Sequence, residues 1–262
     1  MTADVELVGH PAHSVARGGE GLDLRGRRVL VTGAASGIGQ ATARILARLG
    51  ADLVLTDVAP LAETQKQIEA LGLRSTPIQG DLTDDEFLKD LVERARPFSF
   101  AHCAAVFSRD TWRPELSARA RFDLLMQVNV RAPMILASAC IESMAERGGG
   151  FIVLVGSAAG RNGGGIGGGT PIDYAASKGA VHTLVRSLSR RGVGRNVLVN
   201  GVAPGPVETP LARGLDFPPE SLPLGRIGQP EELAWPIAFL CSPAASFISG
   251  AVLDVNGGAF VG

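Results

Sequence analysis

Cysteine, histidine, tyrosine and lysine are all scarce in this sequence, and the scarcity of the first two excludes several kinds of site. The three cysteines lie far apart, at positions 103, 140 and 241, and form no CxxC pair, and the four histidines form no HExxH pair. A disulfide-stabilised scaffold and a zinc site are therefore not expected, and we predict no metal site. Isolated cysteines are typical of proteins in a reducing compartment, so we expect a cytoplasmic location.

The sequence also lacks an excess of charge and a long apolar run. Its 25 basic and 26 acidic residues give a net charge of -1. Nucleic-acid-binding domains carry a clustered basic excess, so no nucleic-acid partner is expected. No uninterrupted apolar run reaches about 18 residues, so we predict no membrane span. The N-terminus lacks the pattern of a secretory signal, because Asp4, Glu6 and His10 interrupt its apolar residues.

What the sequence does have is a regular alternation of strand and helix patterns, in a chain of 262 residues that is 45% hydrophobic. The strand patterns are continuous apolar runs, typical of a parallel sheet covered by helices on both faces. We predict an α/β fold, a Rossmann-type doubly wound parallel sheet of about seven strands. Residues 26–262 form a single domain in this prediction, and residues 1–25 precede it as an arm. The strands are predicted at 28–32, 52–57, 74–80, 98–103, 151–157, 196–202 and 251–255, and the helices at 37–49, 60–71, 83–95, 121–147, 174–191 and 231–241.

A glycine-rich turn follows the first predicted strand. Gly33, Gly37 and Gly39 lie where the strand ends and a helix begins, and Ser36 and Ile38 lie among them. Glycines let the backbone turn tightly and approach a diphosphate, while the start of the helix offers unpaired N–H groups and a positive dipole end. The pattern indicates a dinucleotide site formed by these residues. A tight turn without a ligand is the alternative.

An acidic residue ends the second predicted strand and indicates which dinucleotide binds. Asp57 stands 18 residues after Gly39, near the spacing of about 20 residues at which a carboxylate binds the adenosine ribose hydroxyls. The same carboxylate repels a 2′-phosphate, so we predict NAD as the cofactor, with Asp57 and Val58 at the ribose. An aspartate that only caps the next loop is the alternative.

The only tyrosine and one of the three lysines stand four residues apart, as Tyr174 and Lys178. This spacing places both side chains on one face of a helix. The lysine ammonium is expected to lower the tyrosine pKa, which suits Tyr174 to give a proton to a ketone or take one from an alcohol. Ser157, at the end of the fifth predicted strand, can hydrogen-bond the same substrate oxygen. A chance pair on a helix is the alternative.

Together these motifs resemble the short-chain dehydrogenase/reductase family, whose members carry TGxxxGxG after the first strand and a serine with Tyr-xxx-Lys later. The resemblance extends over essentially residues 24–262. It implies that Tyr174 is the acid and base, that Lys178 binds the nicotinamide ribose and lowers the tyrosine pKa, and that Ser157 orients the carbonyl. It also implies a homo-oligomer, a dimer or tetramer, assembled through the helices at 121–147 and 174–191.

The resemblance implies further cofactor contacts. Asp81 and Leu82 match the family position that contacts adenine. A loop after the sixth strand matches the segment that holds the nicotinamide carboxamide, here Pro204, Gly205, Val207 and Thr209. After the fourth strand the family usually has Asn-Asn-Ala-Gly, whereas this sequence has His102, Cys103, Ala104 and Ala105. We expect His102 and Ala104 to keep backbone contacts with the cofactor. The His102 side chain either replaces a bracing asparagine or is only a buried histidine.

Asn129 is a fourth candidate catalytic residue, inside the longest predicted helix. Pro133 has no N–H group, so the carbonyl of residue 129 loses its helical hydrogen-bond donor and a kink is expected. In the family, the matching asparagine backbone holds a water that links the lysine to solvent as a proton relay. An asparagine at an ordinary proline kink is the alternative.

The substrate contacts are expected to be mostly apolar. We predict them at Val106, Phe107, Pro206 and Phe217, with Arg109 and Trp112 adding a charged or stacking contact. Between Ser157 and Tyr174 the sequence is longer than the family leads us to expect, and seven of the ten residues 160–169 are glycine. This stretch is either a mobile lid over the substrate or a flexible insertion.

The sequence therefore predicts an NAD-dependent oxidoreductase. It would interconvert a secondary alcohol and a ketone by hydride transfer, with a small molecule as its substrate: a polyol, a cyclic alcohol or a hydroxy-acid derivative. One alternative is a 3-oxoacyl-thioester reductase that uses NADPH. The other is a dinucleotide-sensing protein without catalysis, because a fold alone does not determine a function.

Overall fold

Seven parallel strands form one sheet in the computed structural model, which describes residues 20–108, 112–164, 169–215 and 217–262. The strands are β1 Arg28–Thr32, β2 Asp52–Thr56, β3 Ser75–Pro77, β4 Ser99–His102, β5 Gly150–Val155, β6 Val197–Pro204 and β7 Val252–Val255. Their order across the sheet is β3-β2-β1-β4-β5-β6-β7. Every neighbouring pair in this order is parallel.

Helices cover both faces of the sheet. They are α1 Gly37–Arg48, α2 Ala62–Glu69, α3 Asp85–Ala95, α4 Ala118–Met126, α5 Ala132–Ala145, α6 Ala159–Asn162, α7 Ile172–Gly192 and α8 Pro230–Leu240. Helices α1 and α8 pack against one face, and α3, α5 and α7 pack against the other. The predicted fold class, a doubly wound parallel sheet in one α/β domain, is confirmed.

The apolar strand sequences follow from burial on both faces. All residues of β5 and β6 are buried. In β1, Val29 and Val31 join the core cluster beneath α1 and α8, whereas Leu30 joins the cluster beneath α3, α5 and α7. Alternate side chains of a strand point to opposite faces, so a strand covered on both sides needs apolar residues at every position.

The strand order reverses beside β1. Strands β2 and β3 lie on one side of it, and β4 to β7 extend on the other. The connections that leave the carboxyl ends of β1 and β4 therefore diverge, and a crevice opens between them. Ligands of doubly wound sheets bind in such a crevice, which locates the candidate site at the ends of these two strands.

The start of the domain differs from the prediction. Residues 1–19 lie outside the described ranges, and Glu20–Leu22 form a single 3-10 turn. Leu24 is fully buried, and its N–H donates to the carbonyl of Leu49 at 2.8 Å. The end of the predicted arm 1–25 therefore belongs to the domain, because Leu24 packs in the core cluster beneath α1.

The longest predicted helix is continuous but changes its winding. A π-helical segment, Gln127–Arg131, joins α4 directly to α5. Pro133 stands in the first turn of α5, where it donates no N–H, and the N–H of Ala132 instead donates five residues back to the carbonyl of Gln127. A widened π turn therefore takes the place of the simple kink predicted at Asn129.

By length and composition alone, one described helical stretch is long and apolar enough to cross a membrane. This stretch, Ala118–Ala145, has 28 residues and a mean hydropathy of 1.5, and 44% of the tested window is buried inside the fold. Gln127, Asn129 and Arg131 interrupt its apolar sequence, so it contains no uninterrupted run of membrane-spanning length. A core helix meets the same criterion, and α5 contributes buried residues to the core beneath the sheet.

Candidate active site

The glycine-rich turn after β1 has no room for side chains at two positions. Gly33 has φ of +69°, and a Cβ atom built on it would lie 2.6 Å from the backbone nitrogen of Ala104. A Cβ on Gly39 would lie 2.0 Å from the carbonyl oxygen of Gly33. The turn thus lies directly against the end of β4 and against the first turn of α1. This close packing forms the cradle in which a diphosphate can approach the backbone.

The N-terminus of α1 faces this cradle, and its own first turn carries no negative charge. Ser36 is the N-cap residue, exposed and extended, and its side chain makes no capping hydrogen bond. The first turn of α1 contains no acidic residue, so nothing in it neutralises the positive end of the helix dipole. Gly37 lies against the Thr209 side chain, and Ile38 lines the adjacent cavity. The predicted dinucleotide residues thus adjoin both the helix terminus and the cavity.

Asp57 follows β2 directly and connects two loops at the crevice. One carboxylate oxygen accepts the N–H of Ala35 at 3.0 Å, and the other accepts the N–H of Ala59 at 2.9 Å. The side chain of the following Val58 is 65% exposed. These bonds hold the Asp57 carboxylate beside the glycine-rich turn, the place expected for a residue that contacts the adenosine ribose.

Asp81 and Leu82 follow β3 and differ from each other. The Asp81 carboxylate accepts the N–H of Thr83 at 2.8 Å in a local turn. The Leu82 side chain is 7% exposed and packs in the core cluster beneath α3. An adenine contact from this pair is therefore expected from Asp81 and from the Leu82 backbone, since the leucine side chain faces the core.

His102 does not present its side chain to the crevice. It is buried, and its Nδ1 is 2.8 Å from the Thr32 hydroxyl, so the pair braces β1 against β4. Burial first, and the nearby Lys178 second, lower the pKa of His102 to about 3. The imidazole is therefore neutral at ordinary pH. Only the backbone of this residue remains for the predicted cofactor contact, whereas Ala104 lies against Gly33.

Cys103, which stands between His102 and Ala104 in the sequence, lines the cavity next to the glycine-rich turn. Desolvation raises the pKa of its thiol to about 12, so almost no thiolate forms at neutral pH. The side chain therefore acts as a small packing residue rather than as a reactive thiol. Within the described ranges, no group of three or more histidine, cysteine or acidic side chains is placed to hold a metal ion.

Tyr174 and Lys178 lie one turn apart in α7, as their spacing predicts, and both are buried. The Lys178 Nζ donates to the carbonyl oxygen of Val155 at 2.9 Å and lies 5.7 Å from the centroid of the Tyr174 ring. The carbonyl is at the end of β5, so the lysine joins α7 to the sheet. Phe107 meets the Tyr174 ring edge-on at 4.7 Å between centroids.

The pKa of Tyr174 shifts in the opposite direction to the prediction. Burial raises it to about 12, and a hydrogen bond with Ser157 lowers it only in part. Burial also lowers the pKa of Lys178 to about 8. The lowered tyrosine pKa expected from the sequence is therefore wrong for this structure, because the desolvation of the phenol dominates the shift.

Ser157 lies two residues beyond β5 rather than within it. Its hydroxyl accepts the N–H of Ala159 at 3.1 Å, and its own N–H donates to the Nε2 of His182 at 3.4 Å. A Cβ on Gly156 would lie 2.3 Å from the same His182 nitrogen, so only glycine fits there. Burial first, and nearby arginines next, lower the pKa of His182 to about 4.

His182 escaped the sequence analysis, although a signal for it was present. It follows Tyr174 and Lys178 at the same four-residue spacing, which continues the helix face that carries them. Its contact with the turn before Ser157 depends on how α7 lies against β5, and a sequence does not display that arrangement.

Asn129 uses its side chain as well as its backbone. Its Oδ1 accepts the N–H of Val106 at 2.8 Å, and its Nδ2 donates to the carbonyl of Val106 at 2.9 Å and to the Ser177 hydroxyl at 3.1 Å. The amide therefore joins the loop after β4 to α7. The sequence analysis considered only the carbonyl, because the partner Val106 is distant along the chain.

A cavity of about 560 Å³ adjoins Ser157, Tyr174 and Lys178. Phe107, Pro206 and Phe217 line it, as predicted for substrate contacts. Val106 and Trp112 instead pack against the small cluster around Phe107 and Tyr174, because Asn129 holds the Val106 backbone. Arg109 lies outside the described residues, as do positions 165–168 of the glycine-rich stretch.

The loop after β6 forms another wall. Pro204 accepts the N–H of Ala158 at 2.8 Å, and Val207 is buried. The Thr209 hydroxyl accepts the N–H of Ala212 at 3.3 Å, so it begins a 3-10 turn, Pro210–Ala212. These bonds hold the predicted carboxamide segment next to the residue that follows Ser157.

The C-terminal turn also reaches this wall, which the sequence analysis did not predict. A Cβ on Gly205 would lie 2.8 Å from the carbonyl oxygen of Asn256, and Ala259 lines the cavity. Phe260 faces the Arg161 guanidinium at 5.9 Å. The turn that follows β7 therefore completes the cavity from that side.

Comparison with known proteins gives the family. The family described as Enoyl-(Acyl carrier protein) reductase matches residues 33–259. A cis-4-hydroxycyclohexanecarboxylate dehydrogenase of Sinomonas cyclohexanicum is 34% identical over 88% of this chain and 96% of the relative. A galactitol 2-dehydrogenase (L-tagatose-forming) of Cereibacter sphaeroides is 35% identical over 90% of this chain and 95% of the relative.

Solved structures agree. A 3-oxoacyl (acyl-carrier-protein) reductase of Agrobacterium tumefaciens C58, with NADP bound, superposes with a TM-score of 0.80 at 30% identity. The match covers 94% of this chain and 98% of that one. The glycine cradle and the Ser157, Tyr174 and Lys178 group thus occur in a chain whose relatives are oxidoreductases. The chain belongs to the short-chain dehydrogenase/reductase family, whose members bind a nicotinamide dinucleotide.

Proposed function

We propose that the protein is an NAD-dependent oxidoreductase that interconverts a secondary alcohol and a ketone. The substrate classes considered are polyols, cyclic alcohols and hydroxy-acid derivatives. The observation that carries the proposal is the meeting of Ser157, Tyr174 and Lys178 at one cavity, beside a glycine cradle. This arrangement brings a proton donor to the same place as a dinucleotide.

In this proposal the residues of the glycine cradle bind the dinucleotide, and those of the cavity bind the substrate and transfer the proton. When bound, the nicotinamide supplies the carbon that gives or accepts a hydride. The Tyr174 hydroxyl gives a proton to the ketone oxygen, or takes one from the alcohol, while Ser157 orients that oxygen by a hydrogen bond. The Lys178 ammonium lies near enough to stabilise negative charge that develops on the tyrosine oxygen. Gly33, Gly39 and the N-terminus of α1 would hold the diphosphate of the bound dinucleotide.

The preference for NAD rests on Asp57. Its carboxylate is held beside the glycine-rich turn, and residues 33–39 and 56–61 contain no lysine or arginine that could pair with a 2′-phosphate. A like-charge contact costs several kcal/mol. Because about 1.4 kcal/mol corresponds to a factor of ten, we expect NAD to be preferred by roughly a hundredfold.

The ratio of kcat/KM for NAD to that for NADP tests this preference. We expect Asp57→Asn, which keeps an acceptor for the N–H of Ala35 or Ala59 but removes the charge, to lower the ratio at least tenfold. Asp52→Asn is the matched control, since Asp52 is the first residue of β2, at the end of the strand away from the site, and pairs with Arg28. A wild-type preference for NADP of tenfold or more contradicts the proposal.

The reductase of 3-oxoacyl thioesters is the second candidate, favoured by the likeness to the Agrobacterium structure with NADP bound. Asp57 opposes it. A dinucleotide sensor without catalysis is the third, opposed by the presence of Ser157, Tyr174 and Lys178 together. Turnover of 3-oxoacyl thioesters with NADPH would favour the reductase. Binding of NAD without turnover of any alcohol or ketone would favour the sensor.

The proposal includes a homo-oligomer, a dimer or tetramer, in the cytoplasm. The helical stretch Ala118–Ala145 supports assembly, because Phe122 and Met134 on it are 47% and 43% exposed. Burial of such side chains against a second copy is favourable. We expect sedimentation at micromolar concentration to give a mass at least twice 27.1 kDa. A monomer under these conditions contradicts this part of the proposal.

A further inference from the structure

We propose that the substrate is an uncharged, largely apolar secondary alcohol or ketone that carries a ring or a branched chain. The inference rests on the proposed function and narrows it, because it sets aside polyols and carboxylate-bearing substrates. It follows from three properties of the cavity beside Tyr174: its apolar walls, the prior bonding of two polar side chains at its rim, and Lys178 as the only charged side chain among the described lining residues.

The walls that face the reacting oxygen are apolar on several sides. They come from the loop after β4, the segment after β6 and the C-terminal turn. The side chains concerned are Phe107, Leu211, Leu215, Phe217, Leu222 and Ala259. A ring or branched chain that enters this space exchanges water for apolar contacts, which is favourable in proportion to the apolar area buried.

Two of the polar side chains at the rim already have partners. The Ser221 hydroxyl donates to the carbonyl of Pro218 at 2.7 Å. The Asn162 Oδ1 accepts the N–H of Gly164 at 3.3 Å. A polyol buries several hydroxyls at once, and each one left without a partner costs free energy. These two side chains are therefore poorly placed to serve a polyol, whereas a substrate with one hydroxyl needs only the contacts with Ser157 and Tyr174.

The charge of the cavity lining also favours an uncharged substrate. Among the described residues that line the cavity, Lys178 is the only one with a formal charge, and its Nζ donates to the carbonyl of Val155. Arg161, the arginine of α6, is also engaged, since it pairs with Asp254 and donates to the carbonyl of Val252. A substrate carboxylate would lose its water here without gaining a described cation.

We therefore expect this chain to act on a different class of substrate from those for which two of its relatives are named. One of them is named for a hydroxycyclohexane that bears a carboxylate, and the other for galactitol, a polyol. Among the described residues that line this cavity, Lys178 is the only charged one, so a carboxylate on the substrate finds no further cation there.

Matched ketones test the inference, with NADH oxidation at 340 nm as the signal. The first pair is 4-methylcyclohexanone and 4-oxocyclohexanecarboxylate, which share a ring and differ in charge. The second pair is acetophenone and 4-acetylbenzoate, and L-tagatose represents the polyols. We expect kcat/KM for the neutral member of the preferred pair to exceed that for its carboxylate, and that for tagatose, by about a hundredfold or more.

The outcomes separate this inference from the proposed function. If a carboxylate or tagatose is reduced as well as the neutral ketones or better, the inference is overturned and the proposed function stands. If no ketone is reduced by NADH or NADPH while the dinucleotide still binds, both are overturned.

A gain of charge in the wall provides a second test. Leu215 packs against the cluster that contains Phe107 and Tyr174. We expect Leu215→Lys to raise the ratio of kcat/KM for the carboxylate to that for the neutral ketone at least tenfold. Leu215→Gln, similar in length and polar but uncharged, is expected to leave this ratio within about threefold of the wild type. An equal change in both variants contradicts the inference.

Discussion

Tyr174→Phe is expected to lower kcat by about a thousandfold or more while NAD still binds. The substitution removes one oxygen, and with it the proton donor and the hydrogen bond to Ser157. The ring remains, so its edge-on contact with Phe107 at 4.7 Å is preserved and the helix is expected to fold as before. General acid and base catalysis by a positioned side chain contributes about 10²–10⁴-fold, which sets the expected loss.

Steady-state kinetics with the preferred ketone measures the loss in the Tyr174→Phe variant. Quenching of protein fluorescence by NAD, and the melting temperature, show that the cradle and the fold are intact. A variant that keeps more than a tenth of the wild-type kcat with unchanged KM contradicts the role proposed for the tyrosine hydroxyl.

Lys178→Met is expected to abolish most activity and, at the same time, to remove a pH-dependent cost to stability. Burial lowers the pKa of Lys178 from 10.5 to about 8. Below pH 8 the native protein must hold a buried ammonium, and the cost is fully present. Between pH 8 and 10.5 the unfolded chain holds a proton that the native protein has released, so the contribution of this group to native stability rises with pH.

The size of the effect follows from the shift. Each pKa unit corresponds to about 1.4 kcal/mol, so the free energy of unfolding of the wild type should gain on the order of 3 kcal/mol relative to Lys178→Met between pH 8 and 10.5. The buried thiols and Tyr174 have raised pKa values and contribute in the opposite sense at high pH. The difference between the two proteins, rather than either curve alone, therefore isolates Lys178.

Urea titrations of both proteins at several pH values provide the measurement, together with kcat at pH 7. Lys89→Met is the matched control, because the Lys89 side chain is 69% exposed and pairs with Glu86 on the surface of α3. It is expected to change neither activity nor the pH dependence of stability. A stability difference between wild type and Lys178→Met that does not vary from pH 8 to 10.5 would refute the assignment.

The fold was predictable because its signals are local. Continuous apolar strands, helical spacing and glycines at a strand end each follow from a few neighbouring residues. Gly33 and Gly39 illustrate this, since their need for a bare backbone is explained by the contacts found with Ala104 and with the carbonyl of Gly33. The four-residue spacing of Tyr174 and Lys178 likewise places them on one helix face from the sequence alone.

The parts that could not be predicted depend on distant segments. The bonds of Asn129 to Val106, of Ser157 to His182 and the approach of Ala259 to the cavity each join elements far apart in the chain. The direction of the Tyr174 pKa shift belongs with them. Spacing shows that a lysine is near, but only the packed structure shows how much water the phenol has lost.

The position of the turn after β7 has a consequence for folding during translation. Strand β7 ends at Val255, and the residues that complete the cavity wall, near Asn256 and Ala259, come after it. Ser157, Tyr174 and Lys178 are all made much earlier. A nascent chain therefore holds its whole catalytic group before it can close the cavity, because residues 256–259, which complete the wall, are translated after Ser157, Tyr174 and Lys178.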